Sequence, residues 1–472
     1  MEEWPSALDQ WLPSYLVAQR WFAGADSPPV DQVRVEKAAT LWKDDDSGRA
    51  LWHLLVSVGG NTDSGNTDSG STGAGSTGDP AWYQLLLGMR PSGETADFLH
   101  THEHAVLGST DDAYYYDATL DTELARILLE VISGGEQRAD RARPTSSEQS
   151  NTSIVFDDRV ILKVFRQLRA GRNPDVEVST ALDGAGFAHV AKPLLAWREE
   201  PFVLAFGQEF LAGGSEGWAL ALTSLRSLLN SSDADVPADS GGDFAYEAER
   251  LGRVSAELHL AMHEVFGPAR ADEARRGWET LVQGLPGRLI TAARTVEKDL
   301  LGPAGPLLER LRSVSDPGPV FRVHGDYHLG QVMRTDRGWY VLDFEGEPDK
   351  PVAERIAPAS PLKDVSGMLR SFHYASRFAL IERALAEWGQ VESSARAWEA
   401  HNRQAFLDGY HGHPEISALL PDPANAPAVM TGYELDKALY ELEYELAHRP
   451  EWVSIPLDAL ENLVEGGARG SF

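Results

Sequence analysis

Short alternating apolar runs occupy the first half of the chain, and longer helical repeats occupy the second. Val33–Val35, Leu51–Val58 and Trp82–Leu87 are short runs of the kind that form antiparallel strands with one buried face. From Tyr246–Phe266 onward, apolar residues return every three or four positions, which is typical of amphipathic helices. The change of period predicts an α+β protein.

A polar segment interrupts the early strands. Gly59–Pro80 consists mostly of Gly, Ser, Thr and Asp, repeats NTDSG in tandem and has no apolar anchor. Such a composition cannot bury enough surface to offset the entropy of ordering the segment. It predicts a disordered insertion within a hairpin, and we assign it no function.

Two later apolar runs, Phe321–Val323 and Trp339–Phe344, enclose a stretch dense in polar side chains. They predict strands whose loops present side chains to one spot. The loop residues are His324, Asp326, His328, Gln331, Asp343 and Glu345. A buried polar network that only supports the core would be compatible with the same spacing.

Three of these side chains suit phosphoryl transfer. The carboxylate of Asp326 can orient and deprotonate a hydroxyl group. The carboxamide of Gln331 and the carboxylate of Asp343 are hard oxygen ligands, which Mg²⁺ prefers while it also holds phosphates. The spacing therefore favours a base and a Mg²⁺ site in neighbouring loops.

An earlier strand carries a lysine among apolar neighbours. Lys163 lies in the run Val160–Phe165, where a charged group must find an anion, either a carboxylate or a phosphate. A helix that starts near Pro174 carries Glu177. Either Lys163 holds ATP phosphates and is oriented by Glu177, or it is a surface lysine near an ordinary helical glutamate.

The last long helix combines an apolar stripe with rings and carboxylates. Leucines on one face predict contact with the core: Leu435, Leu439, Leu442 and Leu446. The adjacent faces carry Asp436, Lys437, Tyr440, Glu441, Tyr444 and Glu445. These faces form either a salt-bridged surface or a sugar site, in which rings stack on a pyranose and carboxylates accept from its hydroxyls. The spacing by itself leaves both interpretations open.

Composition limits the possible partners and the location. With 42 Lys and Arg against 72 Asp and Glu, the net charge is −30, which disfavours nucleic acid and anionic membranes. The 472 residues suffice for two or three domains. There is no cysteine, no apolar run of the roughly 18 residues that a membrane span needs, and no signal-peptide pattern. We therefore expect a cytoplasmic protein.

The late polar loops resemble those of a known kinase superfamily. H-G-D-x-H-x-x-Q at His324–Gln331 and D-F-E at Asp343–Glu345 are similar to the catalytic and metal loops of the aminoglycoside phosphotransferase-like kinases, although Gln331 stands where most members have Asn. Further motifs resemble actinobacterial maltokinases: VLDFEGEP, the helix DVSGMLRSF, the ending D-K-A-x-Y-E-x-x-Y-E with R-P-x-W at Arg449–Trp452, and R-W-F within an N-terminal cap.

This resemblance implies a bilobal protein-kinase-like fold with an extra N-terminal cap module. The implied domains are the cap at 1–100, the rest of the N-lobe with nucleotide-binding strands and hinge at 101–211, and a helical C-lobe at 212–472. It also implies ATP-dependent, Mg²⁺-dependent phosphorylation of maltose at the anomeric hydroxyl. The product, maltose 1-phosphate, would feed glycogen or other α-glucan synthesis through a maltosyltransferase, with a trehalose synthase upstream.

Other functions remain possible. A glucosamine kinase of the same fold would need an acidic pocket for the amine, and an aminoglycoside kinase is a further alternative. A non-catalytic kinase-like binding protein belongs to a different class. The joint presence of a strand lysine, a base and two metal ligands argues against it.

The resemblance further implies roles for individual residues. Asp326 would be the base, and Lys163, oriented by Glu177, would hold the phosphates. A polar loop at Gln149–Ser153 and the hinge would supply the other nucleotide contacts, from Ser150, Asn151, Thr152, Gln208, Phe210 and Leu211. The sugar contacts would come from His328, Glu345, Asp436, Lys437, Tyr440, Glu441 and Tyr444.

Two other carboxylates have open roles. Asp364 either braces the catalytic loop or caps its own helix. Glu216 follows Gly213-Gly214 at a helix start, where it either caps that helix or contacts the ribose, and the cap is favoured.

Overall fold

The computed structural model describes residues 8–22, 33–59, 80–94, 102–145, 151–230, 237–239, 242–347, 350–381 and 388–469. The chain divides into two units by its internal contacts. The first comprises Met1–Glu177 and Ala191–Ala212, and the second comprises Val178–Val190 and Gly213–Phe472. The described part of the chain holds no helix whose length and apolar character would suit a bilayer crossing.

An antiparallel sheet dominates the start of the first unit. Its strands are β1 Val33–Asp44, β2 Arg49–Val58, β3 Ala81–Pro91, β4 Val106–Ser109 and β5 Ala113–Asp117. They neighbour one another in the order β1-β2-β3-β5-β4. Helix α1 (Leu8–Val17) packs in the same apolar cluster as this sheet, because Leu8, Leu12 and Leu16 share one helical face.

The hairpin predicted around the polar insertion is present. Val58 at the end of β2 pairs with Ala81 at the start of β3, so the two strands meet where the insertion leaves and returns. Residues 60–79, for which disorder is predicted, lie outside the described residues.

A second antiparallel sheet completes the first unit. The remaining strands are β6 Ala142–Pro144, β7 Asn151–Phe156, β8 Val160–Phe165, β9 Gln167–Leu168, β10 Pro193–Glu199 and β11 Phe202–Glu209. All but β9 form the sheet, in the order β10-β11-β8-β7-β6, and β9 pairs with β3 instead. Helix α2 (Thr122–Ile132) buries Leu124 and Leu128 in one cluster with residues of both sheets.

Part of the polar loop predicted at Gln149–Ser153 is a strand. Asn151 opens β7, and the residues before it lie outside the described part of the chain. Asp157 and Asp158 close the β7–β8 hairpin with φ of +50° and +55°. Two left-handed residues match the twist of the flanking strands, so pairing continues without a break back to Asn151.

The second unit is helical around a small sheet. Its strands, β12 Ser215–Glu216, β13 Val332–Thr335 and β14 Gly338–Val341, are antiparallel neighbours in that order. Helix α3 (Pro174–Gly184) begins in the first unit and ends in the second. The other helices are α4 Gly217–Leu229, α5 Ala245–Phe266, α6 Ala271–Thr295, α7 Leu301–Ser313, α8 Val352–Arg355, α9 Leu362–Ile381, α10 Trp388–His411, α11 Ala426–His448 and α12 Ser454–Arg469.

The strand predicted at Phe321–Val323 is wrong. Phe321 forms only isolated bridges, with Pro268 and Ala359, which belong to two separate loops. No ladder can develop from single bridges to different segments. The run is apolar because Phe321 and Val323 are buried in the core of the unit.

The leucine stripe of α11 is confirmed. Leu435, Leu439 and Leu442 are buried in the core of the second unit, and Leu446 packs against it partly buried. The stripe turns one face of α11 inward. The polar residues at the neighbouring positions therefore lie along the border of that face.

Helices α5 and α10 approach each other through glycines. A Cβ added to Gly409 would lie 1.9 Å from the carbonyl oxygen of Glu249, and one added to Gly252 would lie 2.0 Å from that of Phe406. We expect Gly409→Ala to lower the free energy of unfolding by about 1–3 kcal/mol, because the backbones of α5 and α10 must move apart. Urea unfolding measures the change. Gly284→Ala on α6, where a Cβ meets nothing within 4 Å, is the control, and an equal effect of both changes would contradict the packing argument.

Candidate active site

One buried carboxylate braces the predicted catalytic loop, His324–Gln331, which is called the catalytic loop below. Asp364, in the first turn of α9, accepts hydrogen bonds from the N–H groups of His324 (2.8 Å) and Gly325 (2.9 Å). The His259 ring lies 3.2 Å from its Oδ2. Burial alone would raise the pKa of Asp364, but the hydrogen bond and charge of His259 lower it below its usual value. Of the two roles predicted for Asp364, the structure shows the brace.

His324 links the catalytic loop to the segment that follows β14. Its Nε2 lies 2.9 Å from the carbonyl oxygen of Leu342, and the Leu342 N–H donates to the carbonyl oxygen of Gln331 at 2.9 Å. These bonds hold the segment with Asp326 beside the segment with Asp343. The two predicted loops therefore lie together, and His324 connects them.

The two oxygens of Asp326 have different surroundings. Lys437 Nζ donates to Oδ1 at 2.9 Å, whereas His328 Nε2 lies 3.8 Å from Oδ2. Because His328 Nδ1 accepts the Gly330 N–H at 3.0 Å, a neutral His328 carries its proton on Nε2, towards Asp326. Burial alone would raise the pKa of Asp326, but the charge of Lys437, together with that of the nearby His328, holds it well below its usual value. Asp326 is thus a carboxylate at neutral pH, as a base must be.

Lys437 reaches Asp326 from α11 and has a second carboxylate beside it. Its Nζ also donates to Glu347 Oε1 at 3.1 Å and lies 4.8 Å from the centre of the Tyr440 ring. Burial alone would lower the pKa of Lys437, but the charges of Asp326, Glu347 and Glu441 raise it. The ammonium group therefore stays charged, and the predicted contact between Lys437 and a sugar stays a prediction.

The segment after β14 offers convergent oxygen atoms. Asp343 has a φ of +59°, a conformation that is uncommon outside glycine, and one of its carboxylate oxygens lies within 4.8 Å of one from Glu345. Gln331 is tied to the same segment through Leu342. Carboxylate and carboxamide oxygens suit Mg²⁺, so the residues present fit the predicted ion. Ligation by Gln331 and Asp343 stays a prediction.

In the first unit, Lys163 contacts an anion, as the sequence predicts for a lysine in an apolar strand. Its Nζ lies 3.6 Å from Oδ2 of Asp175, a buried carboxylate in the first turn of α3. Glu177, predicted to orient Lys163, accepts from Arg172 Nη1 at 2.8 Å. Its pairing with Lys163 stays a prediction, and Asp175 is a contact that sequence reasoning missed.

The predicted hinge residues are partly engaged within the protein. Gln208 belongs to β11, and its Nε2 lies 3.5 Å from the carbonyl oxygen of Ala191. The Phe210 N–H donates to the carbonyl oxygen of Arg159 at 2.8 Å, so an adenine would have to use another backbone group of the hinge. Leu211 is buried. Adenine binding at these residues stays a prediction.

The predicted phosphate-covering residues lie at the edge of the described chain. Ser150 is outside it, and Asn151 begins β7. Thr152 Oγ1 accepts from Arg166 Nε at 2.8 Å, which fixes its side chain. Phosphate contacts from these residues stay predictions.

A cavity of about 420 Å³ lies beside Asp326, within the range of about 300–1,000 Å³ that is typical of small-molecule sites. Helix α11 supplies one wall at successive turns, with Lys437, Tyr440, Glu441, Tyr444 and Glu445. Aromatic rings from other elements complete it: Trp218, Tyr374 and Trp452. Rings can stack on the apolar face of a sugar, and carboxylates can accept from its hydroxyls.

Two carboxylates of the α11 wall are paired with arginines. Glu441 accepts from Arg370 Nη2 at 2.6 Å, and Glu445 accepts from Arg449 Nη2 at 2.8 Å. With Lys437 on Asp326, these pairs leave little uncompensated charge on this wall. Their carboxylates retain lone pairs for further donors.

Glu216 differs from the other carboxylates of the cavity. Among the described residues its carboxylate has no hydrogen-bond or ion-pair partner, and it does not cap α4 although Glu216 lies at the N-cap position. Burial raises the pKa of Glu216, with the nearby charge of His328 acting in the opposite direction. The favoured prediction of a helix cap is therefore wrong: β12 pairs with β13 and directs this side chain into the cavity.

Two predicted sugar residues are absent from the described lining of the cavity, Asp436 and Glu345. Asp436 Oδ1 accepts from Arg288 Nη1 instead. Successive residues of a helix are about 100° apart around its axis, so Asp436 and Lys437 point in different directions. The backbone carbonyl of Glu345 accepts from Arg355 at 3.2 Å. The rings of Trp218, Tyr374 and Trp452 were not predicted as sugar contacts, although Trp452 ends the R-P-x-W pattern that follows α11.

Family comparisons agree with this geometry. Residues 15–121 match the maltokinase N-terminal cap domain, and residues 141–400 match the phosphotransferase enzyme family, which covers more than half of the chain. The chain belongs to the phosphotransferase enzyme family. The predicted class of enzyme, a kinase-type sugar phosphotransferase with a maltokinase cap, is thereby confirmed.

This phosphotransferase has curated relatives and structural neighbours. It is 29% identical over 354 residues to a glucosamine kinase from Mycolicibacterium smegmatis, covering 71% of this chain and 83% of the relative. It is 26% identical over 386 residues to a glucosamine kinase from Streptacidiphilus jiangxiensis, with 79% and 82% covered. A solved glucosamine kinase in complex with glucosamine, ADP and inorganic phosphate superposes with a TM-score of 0.63 at 20% identity, covering 98% of this chain and 100% of that one. The predicted fold, an aminoglycoside phosphotransferase-like kinase with a cap, is confirmed.

Proposed function

We propose that this phosphotransferase transfers the terminal phosphoryl group of ATP to the anomeric hydroxyl of maltose, giving maltose 1-phosphate and ADP. The observation that carries the proposal is the cavity of rings and carboxylates beside the charged Asp326. The maltokinase cap supports maltose as the acceptor. A trehalose synthase would act upstream, and a maltosyltransferase would use the product for α-glucan synthesis.

In this proposal Asp326 acts on the acceptor hydroxyl. Oδ2 of Asp326 orients the hydroxyl and takes its proton. The hydroxyl oxygen bonds to the γ-phosphorus while the bond from that phosphorus to the bridging oxygen breaks and ADP leaves. Because positioning supplies much of the rate in this class of reaction, the hydrogen bonds of Asp364 to the loop backbone would contribute by holding the base in place.

ATP and Mg²⁺ are the proposed cofactors. Gln331 and Asp343 would hold the ion, with Glu345 beside them, and Lys163 would contact the phosphates. When bound, the ion neutralises charge that builds on the β- and γ-phosphates. The contribution of the chain is to keep its oxygen ligands together, because Leu342, next to Asp343, forms two hydrogen bonds to the His324–Gln331 loop.

Phosphorylation of glucosamine is the second candidate function, and Glu216 favours it. An ammonium group is stabilised by a carboxylate that no protein cation already occupies. Glu216 is such a carboxylate on the wall of the cavity. The two curated relatives named as glucosamine kinases support the same candidate.

An acceptor comparison separates the candidates. ADP release from Mg²⁺-ATP is measured in parallel with maltose, glucosamine, glucose and kanamycin, and the phosphorylated position is identified by nuclear magnetic resonance. Turnover of maltose at the anomeric position supports the proposal. Turnover of glucosamine alone would show that glucosamine is the acceptor and would leave the proposed role of Asp326 unchanged. No turnover with any of the four compounds would contradict both candidate functions.

The role of Glu216 is tested by Glu216→Gln. If glucosamine is an acceptor, we expect its KM to rise about tenfold, because a partly exposed hydrogen bond to a charged group is worth about 1.5 kcal/mol. The KM of neutral maltose should change by less than about threefold. Steady-state kinetics with both sugars measures the difference.

Glu443→Gln is the matched control for this change. Glu443 lies on α11 and accepts from Arg288 Nε at 3.1 Å, away from the described lining of the cavity. It should leave both KM values unchanged. Equal effects of Glu216→Gln on the two sugars would show that Glu216 does not recognise an amine.

A further inference from the structure

Helix α11 does two things at once: it lines the acceptor cavity, and it delivers an ammonium group to the proposed base. Tyr440 and Glu441, which line the cavity, follow Lys437 by one turn. Lys437 Nζ donates to Asp326 Oδ1 at 2.9 Å. The side chain of Lys437 is 17% exposed, so this pair is largely shielded from water.

Glu347 holds the ammonium group of Lys437 in position. Oε1 of Glu347 accepts from Lys437 at 3.1 Å. Its other oxygen, Oε2, lies 2.5 Å from Lys350 Nζ and 3.9 Å from Lys363 Nζ. Glu347 is therefore a buried carboxylate that three lysines keep charged, and it holds Lys437 between two anions.

The charged groups around this pair come from four elements. The catalytic loop contributes His328, and the segment after β14 contributes Glu347 and Lys350. Helix α9 contributes Lys363, and α11 contributes Glu441 beside Lys437. Of these, Lys437 is the cation that directly contacts Asp326 in the described structure.

We propose that Lys437, held by Glu347, is a positioning residue for Asp326. By binding Oδ1, it keeps the carboxylate charged and leaves Oδ2 as the oxygen that accepts the proton of the acceptor hydroxyl. The helix that binds the sugar thereby also sets the base. This inference rests on the proposed role of Asp326, and it holds for whichever sugar is the acceptor.

The physical reason is the cost of a buried carboxylate. Without a cation nearby, burial favours the protonated acid, which cannot accept a proton from the hydroxyl. An opposite charge at hydrogen-bond distance lowers the pKa of an aspartate by about 1–3 units. Since the base works only above its pKa, loss of Lys437 should remove activity at low pH and restore it as the pH rises.

The test compares kcat–pH profiles of Lys437→Met, Lys437→Arg and the unmodified protein. We expect Lys437→Met to move the acid limb up by about 1–3 pH units with the KM for ATP unchanged. Lys437→Arg, which keeps the charge, should retain the original limb. Lys298→Met, an exposed lysine paired with Glu461, is the matched control. A uniform loss of kcat at every pH, or a rise only in the KM of the sugar, would overturn the inference.

Two further measurements keep the result interpretable. If Lys437→Met does not fold, Glu347→Gln is measured in its place. We expect Glu347→Gln to lower kcat and to leave the KM for ATP unchanged. An unchanged kcat would overturn the role of Glu347. A double-mutant cycle, measured without any acceptor, tests the pairing itself. Lys437→Met should lower the urea midpoint more when Asp326 is present than when it is already replaced in Asp326→Asn. Equal shifts in the two backgrounds would contradict the pairing of Lys437 with Asp326. Full activity of Asp326→Asn would instead refute the proposed base itself.

Discussion

Asp326→Asn is expected to lower kcat by about 10²–10⁴-fold, the contribution typical of a general base, and to leave the KM for ATP within about twofold. The amide keeps the size of the side chain but cannot accept the hydroxyl proton. Because Glu347 still contacts Lys437, the ammonium group keeps one anionic partner. The fold should therefore survive, and the loss should appear in turnover.

Steady-state kinetics with the acceptor identified above measures this loss, and circular dichroism checks the fold. Asp272→Asn is the matched control, since Asp272 lies on the exposed start of α6 and pairs with Arg276 at 2.8 Å. It should leave kcat unchanged. If Asp326→Asn kept near-normal turnover, Asp326 would have no place in the chemistry.

Asp364→Ala is expected to lower the free energy of unfolding by about 3–5 kcal/mol, the range for removing one partner of a buried charged network. Asp364 is fully buried and accepts from His324 N–H, Gly325 N–H and His259. Its removal leaves three buried donors without their acceptor. The loop that carries Asp326 loses its brace, so kcat should fall as well.

Urea unfolding at neutral pH measures this change. Asp364→Asn should cost less, because its carboxamide oxygen still accepts one hydrogen bond, and Asp272→Ala serves as the surface control. The pKa of Asp364 is lower in the folded protein than in the unfolded chain, so its contribution is present above the unfolded pKa and is lost as the pH falls through the folded value. A loss no larger than that of Asp272→Ala would show that other bonds hold the loop.

Local patterns predicted the elements well where burial is periodic. The hairpin around the insertion and the leucine stripe of α11 both follow from spacing along the chain, since the side chains of strands and helices alternate with fixed periods. The same spacing predicted that the loops with Asp326 and Asp343 meet. These features depend on neighbours within a few residues or on one pair of strands.

Predictions failed where a distant segment decides the outcome. Phe321–Val323 is apolar enough for a strand, but the segments beside it supply only single bridges. Glu216 has the position of a helix cap, yet pairing of β12 with β13 directs it into the cavity. Asp436 and Lys437 are adjacent in sequence and contact opposite partners, Arg288 and Asp326, because the helix turns between them.

The sequence by itself determined which side chains are candidates for the chemistry, because their residue types and local spacing in the two loops and in α11 can be read directly from the chain. Only the tertiary structure decided which charges pair. Asp364 accepts from a loop 40 residues away, and Lys437 donates to a carboxylate 111 residues away. The role of a buried charge depends on the opposite charge that reaches it in space, and that distance is set by the packing of helices and not by their order.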